Sequence, residues 1–222
     1  MIRGIVFDMG GVLVDLYYER CVAAFKAIGF EQICDYLDPC HQKGIYGDME
    51  SGKVSADEFY DFVLTKCNPG TTRADIDSCM KSFYDGPSKE KADYLIALKN
   101  RGYKIFMLSN NNPIMMRICD ADFSKVGIGI NDFFDKAFIS STMKMLKPGR
   151  EIFLESIRQT GFNADELLFI DDSPRNVEGA RAVGMNAVDY VQGDSLEHTI
   201  ENALLFYSEP VHCPAQKSSL VQ

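Results

Sequence analysis

Five short apolar runs punctuate the chain, at residues 2–7, 104–108, 137–139, 167–170 and 186–191. Each is too short for a helix and is bounded by polar or turn residues, which predicts buried strands. Between the later runs, apolar residues recur at helical spacing. Ala92, Leu95, Ile96 and Leu98 mark one helix, closed by Gly102. Ile152, Phe153 and Ile157 mark a second, opened by Pro148 and closed by Gly161. Val177, Ala180 and Val183 mark a third before Gly184, and Leu196, Ile200, Ala203 and Leu204 a fourth. Strands alternating with helices imply βαβ units, hence a mostly parallel sheet with helices on both faces.

Residues 16–87 break this alternation. They hold no comparable strand. Ser55-Ala56-Asp57-Glu58 is a capping-box pattern before Phe59, Phe62 and Val63, and Ala23, Phe25, Ala27 and Ile28 suit an earlier helix. A stretch of about seventy residues is too long for a structureless loop in a compact domain. The expected organisation is an α/β core of residues 1–15 and 88–208, a small helical domain of residues 16–87 inserted after the first strand, and a frayed tail at 209–222, which carries Pro210, Pro214 and Ser218-Ser219.

Composition narrows the function. With 222 residues, 46% of them hydrophobic, a sizeable core forms without covalent staples. The chain has 23 Lys and Arg against 32 Asp and Glu, a net charge of −9. That balance argues against nucleic-acid or anionic-membrane partners, which need a basic surface. No apolar run approaches the roughly 18–20 residues of a spanning helix, and Asp8 interrupts the place a signal peptide would keep apolar. The seven cysteines, at 21, 34, 40, 67, 79, 119 and 213, form no CxxC pair, and reduced thiols of a cytoplasmic protein are the expectation. His41, His198 and His212 are scattered and suggest no site.

In open α/β sheets, ligands collect at the carboxyl ends of the strands. The first run ends in Asp8, followed by Met9-Gly10-Gly11-Val12; the second in Ser109-Asn110; the fourth in Asp171-Asp172; and Lys147-Pro148 starts the helix after the third. If these strands are neighbours, three carboxylates, a hydroxyl and an ammonium converge. Three carboxylates cannot crowd together ionised without a compensating charge, and their hard oxygens suit Mg²⁺. The Gly-Gly turn frees backbone N–H groups for an anion, Ser109 offers a donor to a phosphate oxygen, and Lys147 offers a point charge. A carboxylate beside Mg²⁺ is the arrangement for a phosphoaspartyl intermediate. Taken singly, each residue also has a plainer role. Asp8 could serve a turn, Lys147 could be a solvated lysine at a helix entry, and Asp171-Asp172 could cap the next helix. Asp15 reads better as a residue of the entry to the insertion than as an acid of the site. Tyr17, Tyr18, Arg20 and Lys53 are candidate substrate contacts from the insertion, with solvated or packing roles as the alternative. Lys43 and Lys53 read by default as surface lysines.

Four segments in order, Val6-Phe7-Asp8-Met9-Gly10-Gly11-Val12-Leu13-Val14-Asp15, Met107-Leu108-Ser109-Asn110, Leu146-Lys147-Pro148 and Phe169-Ile170-Asp171-Asp172-Ser173, resemble the motifs of the haloacid dehalogenase-like (HAD) superfamily. The region Gly52-Lys53-Val54-Ser55-Ala56-Asp57-Glu58-Phe59 is similar to the helical cap of many members. The resemblance implies a Rossmann-like three-layer core with strand order 5-4-1-2-3 and an inserted helical cap. It implies Asp8 as nucleophile, with Asp8, the Gly10 carbonyl, Asp172 and Asp171 (directly or through water) around Mg²⁺. Gly10, Gly11, Ser109, Asn110 and Lys147 would hold the phosphate, with Ser109 and Lys147 assisting catalysis.

One position departs from the resemblance. Most phosphatases of the family carry Asp, the general acid/base, two residues after the nucleophile, where this chain has Gly10. Such catalysis is typically worth roughly 10²–10⁴-fold. Dehalogenases carry Tyr there and use no metal, which Asp171-Asp172 argues against. Phosphonoacetaldehyde hydrolases carry Ala with a Schiff-base lysine from the cap. Asp-Met-Gly-Gly-Val fits best a group that resembles glucose-1-phosphate phosphatases. The implied function is a Mg²⁺-dependent phosphatase of a small phosphorylated metabolite. A sugar 1-phosphate is favoured, because an anomeric oxygen leaves without much help from an acid. The alternatives are a β-phosphoglucomutase-like phosphotransferase and a non-catalytic phosphate-binding protein.

Overall fold

The computed structural model describes residues 1–38 and 42–208. Five parallel strands form one sheet in the order β3-β2-β1-β4-β5, the expected order read from the other edge. They are β1 Gly4–Phe7, β2 Lys104–Ser109, β3 Lys136–Ile139, β4 Leu167–Asp171 and β5 Asn186–Asp189. Between β1 and β2 lie α1 Tyr18–Ala27, α2 Gly44–Glu50, α3 Ala56–Leu64, α4 Arg73–Lys81 and α5 Lys89–Asn100. Helices α6 Pro113–Lys125 and α7 Ile130–Phe133 separate β2 from β3, and α8 Ser140–Met143 and α9 Arg150–Thr160 separate β3 from β4. Helices α10 Pro174–Arg181 and α11 Leu196–Ser208 flank β5.

Local chemistry sets several boundaries. Ser55 and Glu58 cap α3 reciprocally, and Thr72 and Asp75 do the same for α4. Gly161 ends α9 at φ 76°, a left-handed position that glycine adopts without steric cost. Two boundaries differ from expectation: β5 stops at Asp189, and α9 starts at Arg150, with Gly149 rather than Pro148 at its cap. Helix α6 is not announced by a clear apolar period. Its start signal is Asn112, whose side chain accepts from the Met115 N–H, followed by Pro113 at the first helical position. The predicted tail at 209–222 lies outside the described residues, as do Cys40, His41, His212 and Cys213.

Side chains alternate across the sheet, so each face has its own core. Val6, Phe106, Leu108 and Phe169 pack one face against Phe153 and Val177. Ile5, Phe7, Ile105 and Met107 pack the other, in a cluster that continues into Phe25, Phe59, Val63 and Ile76 of the inserted helices. The two chain crossings between sheet and insertion run side by side: Tyr17 N–H donates to the Phe83 carbonyl at 2.7 Å, and Asp85 N–H to the Asp15 carbonyl at 3.1 Å. The Asp15 carboxylate meets Lys91 of α5 at 3.1 Å, away from the strand-end acids.

Candidate active site

Strand register builds the site. Phe7 of β1 is level with Met107 of β2 and Ile170 of β4, so the next residue, Asp8, emerges between the ends of both neighbours. Its N–H donates to the Ile170 carbonyl at 2.8 Å. Ser109, the last residue of β2, is buried beside it, and Asp171 ends β4. One carboxylate oxygen from each of Asp8, Asp171 and Asp172 lies within 4.8 Å of the others.

Lys147 holds this cluster together. Its side chain is 1% exposed, and Nζ stands 3.0 Å from Asp8 Oδ1 and 2.6 Å from Asp171 Oδ2. Burial opposes the ammonium, but the two carboxylates outweigh it and raise its pKa. Asp8 shows the reverse balance. Burial drives its carboxyl well above the usual range, and Lys147 only partly offsets this. Asp8 Oδ1 also accepts the Met9 N–H at 2.6 Å. Among the described residues nothing donates to Oδ2, which is left open to a ligand.

Asp171 is committed elsewhere. Beyond Lys147, it accepts from Ser173 N–H at 2.8 Å and from Asn176 Nδ2 at 3.0 and 3.2 Å. Asp172 is exposed toward the cavity, and the surrounding protein and Asp171 push its carboxyl up to about 6. Asp8 and Asp172 thus have oxygens to spare for a cation, while Asp171 serves chiefly to anchor Lys147. Such a set of hard oxygen donors, with an excess of negative charge, fits Mg²⁺.

The two glycines after Asp8 have separate reasons. Gly11 has φ +71°, and a Cβ there would meet Asp172 Oδ2 at 2.1 Å. The expectation that Gly11 cradles phosphate is corrected: its N–H donates to the Val14 carbonyl at 2.9 Å, and it does not line the cavity. Gly10 does line it, and a Cβ there would face Leu16 at 3.2 Å.

Asn110 has a role that its sequence context did not reveal. Its Nδ2 donates to the Lys147 carbonyl at 3.0 Å, and its Oδ1 accepts the Lys147 N–H at 2.9 Å. That reciprocal pair fixes the segment carrying the lysine and leaves only the Asn110 backbone for an anion. The signal is tertiary, a pairing across 37 positions.

These groups face a cavity of about 670 Å³. The inserted helices supply its other walls, among them Tyr46, Glu50 and Lys53. Lys53 stands on this wall, 3.6 Å from Asp48. Tyr17, Tyr18 and Arg20 do not line it: Arg20 stacks on Tyr17 at 4.0 Å and pairs with Asp85 at 2.9 Å, while the Tyr18 hydroxyl donates to the Leu37 carbonyl. Lys43 pairs with Asp38 at the surface. Met115 lines the cavity, and Met143 and Met145 pack against the core. Glu50, unremarkable in the sequence, is the acid most altered by the fold outside the strand ends. Burial and the Asp8 charge push its carboxyl up to about 8.

A parallel sheet with a carboxylate, a lysine and an acidic pair at its carboxyl edge defines a hydrolase class built for metal-assisted chemistry on an anionic substrate. The chain matches the model of the haloacid dehalogenase-like hydrolases over residues 2–184 and belongs to that family. It is 35% identical over 185 residues, 83% of this chain and 89% of the relative, to the D-ribitol-5-phosphate phosphatase of Bacteroides thetaiotaomicron. It superposes on a HAD-like family hydrolase from Porphyromonas gingivalis with TM-score 0.83 and 37% identity, over 92% of this chain and 98% of that one. A HAD-family enzyme from Bacteroides thetaiotaomicron, solved with magnesium and inorganic phosphate, gives TM-score 0.82 and 32% identity over 89% and 98%. No helix among the described residues is long and apolar enough to cross a membrane.

Proposed function

We propose that this hydrolase is a Mg²⁺-dependent phosphatase of a small phosphorylated sugar or polyol, acting through a phosphoaspartyl intermediate on Asp8. The observation that carries this reading is the unpartnered Asp8 Oδ2 at the cavity floor, beside a buried ammonium and an acidic pair. The activity of the ribitol-phosphate relative and the magnesium and phosphate held by the solved neighbour support it.

Asp8, the Gly10 carbonyl and Asp172 would hold Mg²⁺; Asp171, whose oxygens accept from Lys147, Ser173 and Asn176, would reach the ion only through water. The bound ion supplies positive charge for the phosphate oxygens. Asp8 Oδ2 attacks phosphorus in line with the departing oxygen. Lys147 faces both the nucleophile and the developing equatorial charge, held by Asp171 and Asn110. Such fixed charges, already oriented, cost no reorganisation as the transition state forms. Ser109 and the Asn110 backbone bind the remaining phosphate oxygens. Water then hydrolyses the acyl phosphate and restores Asp8. With Gly10 considered alone, an anomeric 1-phosphate is the favoured substrate, since its leaving oxygen is the less basic. Among the described residues Cys21, Cys34, Cys67, Cys79 and Cys119 form no disulfide, in keeping with a cytoplasmic protein.

The test is phosphate release from a panel of sugar, polyol and acyl phosphates with Mg²⁺, with EDTA, and with Asp8→Asn. Release that requires both the metal and Asp8 is expected. Binding of phosphorylated ligands without turnover overturns the reading in favour of a phosphate-binding protein. Accumulation of an isomeric sugar phosphate without free phosphate identifies a phosphotransferase instead.

A further inference from the structure

We propose that Glu50, carried by the inserted helices, is the general acid and base of this reaction, in place of the side chain that Gly10 lacks. The inference rests on Asp8 as the nucleophile.

The strand-end acids are already engaged. Asp8 is beside Lys147, Asp171 is held by Lys147, Ser173 and Asn176, and Asp172, which lines the cavity, is the proposed Mg²⁺ ligand. Glu50 ends α2 and lines the same cavity as Asp8. Among the described residues no cation and no hydrogen-bond donor reaches its carboxyl, whereas Asp48 on the same helix is paired with Lys53. Tyr46, one turn earlier, is buried in the wall beside it. Burial without a cation or donor disfavours the charged form of this carboxyl and favours a held proton.

The backbone of Glu50 is pinned to the sheet end. Ser140 Oγ donates to the Glu50 carbonyl at 2.6 Å and accepts the Asn111 N–H at 2.9 Å, directly after Ser109-Asn110. Two residues on, Gly52 has φ +70°, and a Cβ there would stand 2.2 Å from the Ser141 carbonyl oxygen. The end of α2 therefore docks against α8 at a distance only glycine allows. Glu50 belongs to the insertion by sequence and to the phosphate loop by contact.

In the first step the Asp8 Oδ2–P bond forms as the P–O bond to the leaving group breaks, and the Glu50 proton passes to the departing oxygen to give the alcohol. In the second, Glu50 takes a proton from water as its oxygen attacks phosphorus and the Asp8–P bond breaks. Glu50 is then protonated again, and the net reaction is hydrolysis. The acid brings primary phosphates, whose oxygens are strongly basic, within reach alongside anomeric ones.

The experiment compares wild type, Glu50→Gln, Glu50→Asp and Asp8→Asn on p-nitrophenyl phosphate and on the best primary alkyl phosphate of the panel, such as ribitol 5-phosphate. The parameter kcat/KM reads the first transfer alone. Glu50→Gln is expected to lower it roughly 10²–10⁴-fold for the alkyl ester and less than about tenfold for the aryl ester, whose leaving group needs no proton. It should also show a burst of nitrophenol as the phosphoenzyme accumulates. Glu50→Asp should restore part of the alkyl activity. Equal losses on both esters, or none on either, overturn the proposal. Melting curves show whether each variant folds; if Glu50→Gln does not, the aryl-to-alkyl ratio of Glu50→Asp decides alone. Turnover by Asp8→Asn would overturn the underlying reading instead.

Discussion

A Cβ on Gly11 would stand 2.1 Å from Oδ2 of Asp172, inside the space the carboxylate occupies. The glycine therefore leaves the room that the Asp172 carboxylate, a proposed Mg²⁺ ligand, occupies. Gly11→Ala must also adopt φ +71°, at a cost of about 1–2 kcal/mol for an L side chain. The expected outcome is a half-saturating Mg²⁺ concentration raised at least about tenfold, with a modest loss of stability. Titration of phosphate release with Mg²⁺ checks it; an unchanged Mg²⁺ requirement would show that Asp172 is not a ligand.

Lys147→Met removes the only ammonium that touches both Asp8 and Asp171 among the described residues. Asp171 is fully buried, so its charge loses its cation. Breaking such a pair costs about 3–5 kcal/mol, or roughly 10 °C in Tm for a chain of this size. Thermal melts without metal should show this loss, and Mg²⁺ should recover part of it by compensating the carboxylates. Turnover should be abolished under either condition.

Asn110→Ala deletes both hydrogen bonds to the Lys147 backbone without touching the lysine itself. A small displacement of a catalytic group costs up to about 10²-fold, and kcat is expected to fall by 10–10²-fold while the melting temperature changes little. Steady-state kinetics beside calorimetry tests this. A fall in stability as large as that of Lys147→Met would assign Asn110 to the fold rather than to positioning.

The pH dependence follows from three raised carboxyls, Asp172, Asp8 and Glu50. Asp172 is pushed up to about 6 by burial and Asp171, and Asp8 is raised by burial. A raised acid holds a proton in the folded state that the unfolded chain has already released. Its contribution to stability is present at low pH and is lost as pH rises through the folded value. Metal-free protein should therefore lose stability between about pH 4 and 6 from Asp172, and further, up to about pH 8, from Asp8 and Glu50. Mg²⁺ must displace the protons of its ligands, so its apparent affinity should rise steeply with pH below about 6, where both Asp172 and Asp8 carry them, then by up to about tenfold per pH unit until Asp8 has ionised near pH 8, and level off above that. Melting curves with and without Mg²⁺ across that range check both signs. Mg²⁺ affinity independent of pH would exclude Asp172 as a ligand.

Much of this arrangement was legible from residue order. The strand runs ended at Asp8, Ser109 and Asp171, and a parallel sheet places such ends together. The capping box at Ser55 formed as its spacing required. The Lys147-Pro148 pair foretold a lysine near the site, although the helix begins two residues later, at Arg150. Helix α6 was harder to see, because its buried residues, Ile114, Met115, Cys119 and Phe123, are interleaved with Met116 and Ile118. Gly11 misled, since a Gly-Gly turn reads as an anion cradle when the neighbour that claims the space, Asp172, lies 161 positions away in the chain.

Strand and helix periods, caps and turn residues are local, and the sequence by itself determined them, with the charge balance and the identity of the strand-end acids. Register and packing decided the rest. Only the tertiary structure settled that Asp171 is spent on Lys147, that Asn110 clamps that lysine's backbone, and that Glu50 of the insertion is pinned by Ser140 to the loop bearing Ser109. The physical reason is range. Hydrogen bonding along an element acts over three or four residues. The desolvation and charge pairing that tune a site depend on whatever the fold brings within a few ångströms, however distant in the chain.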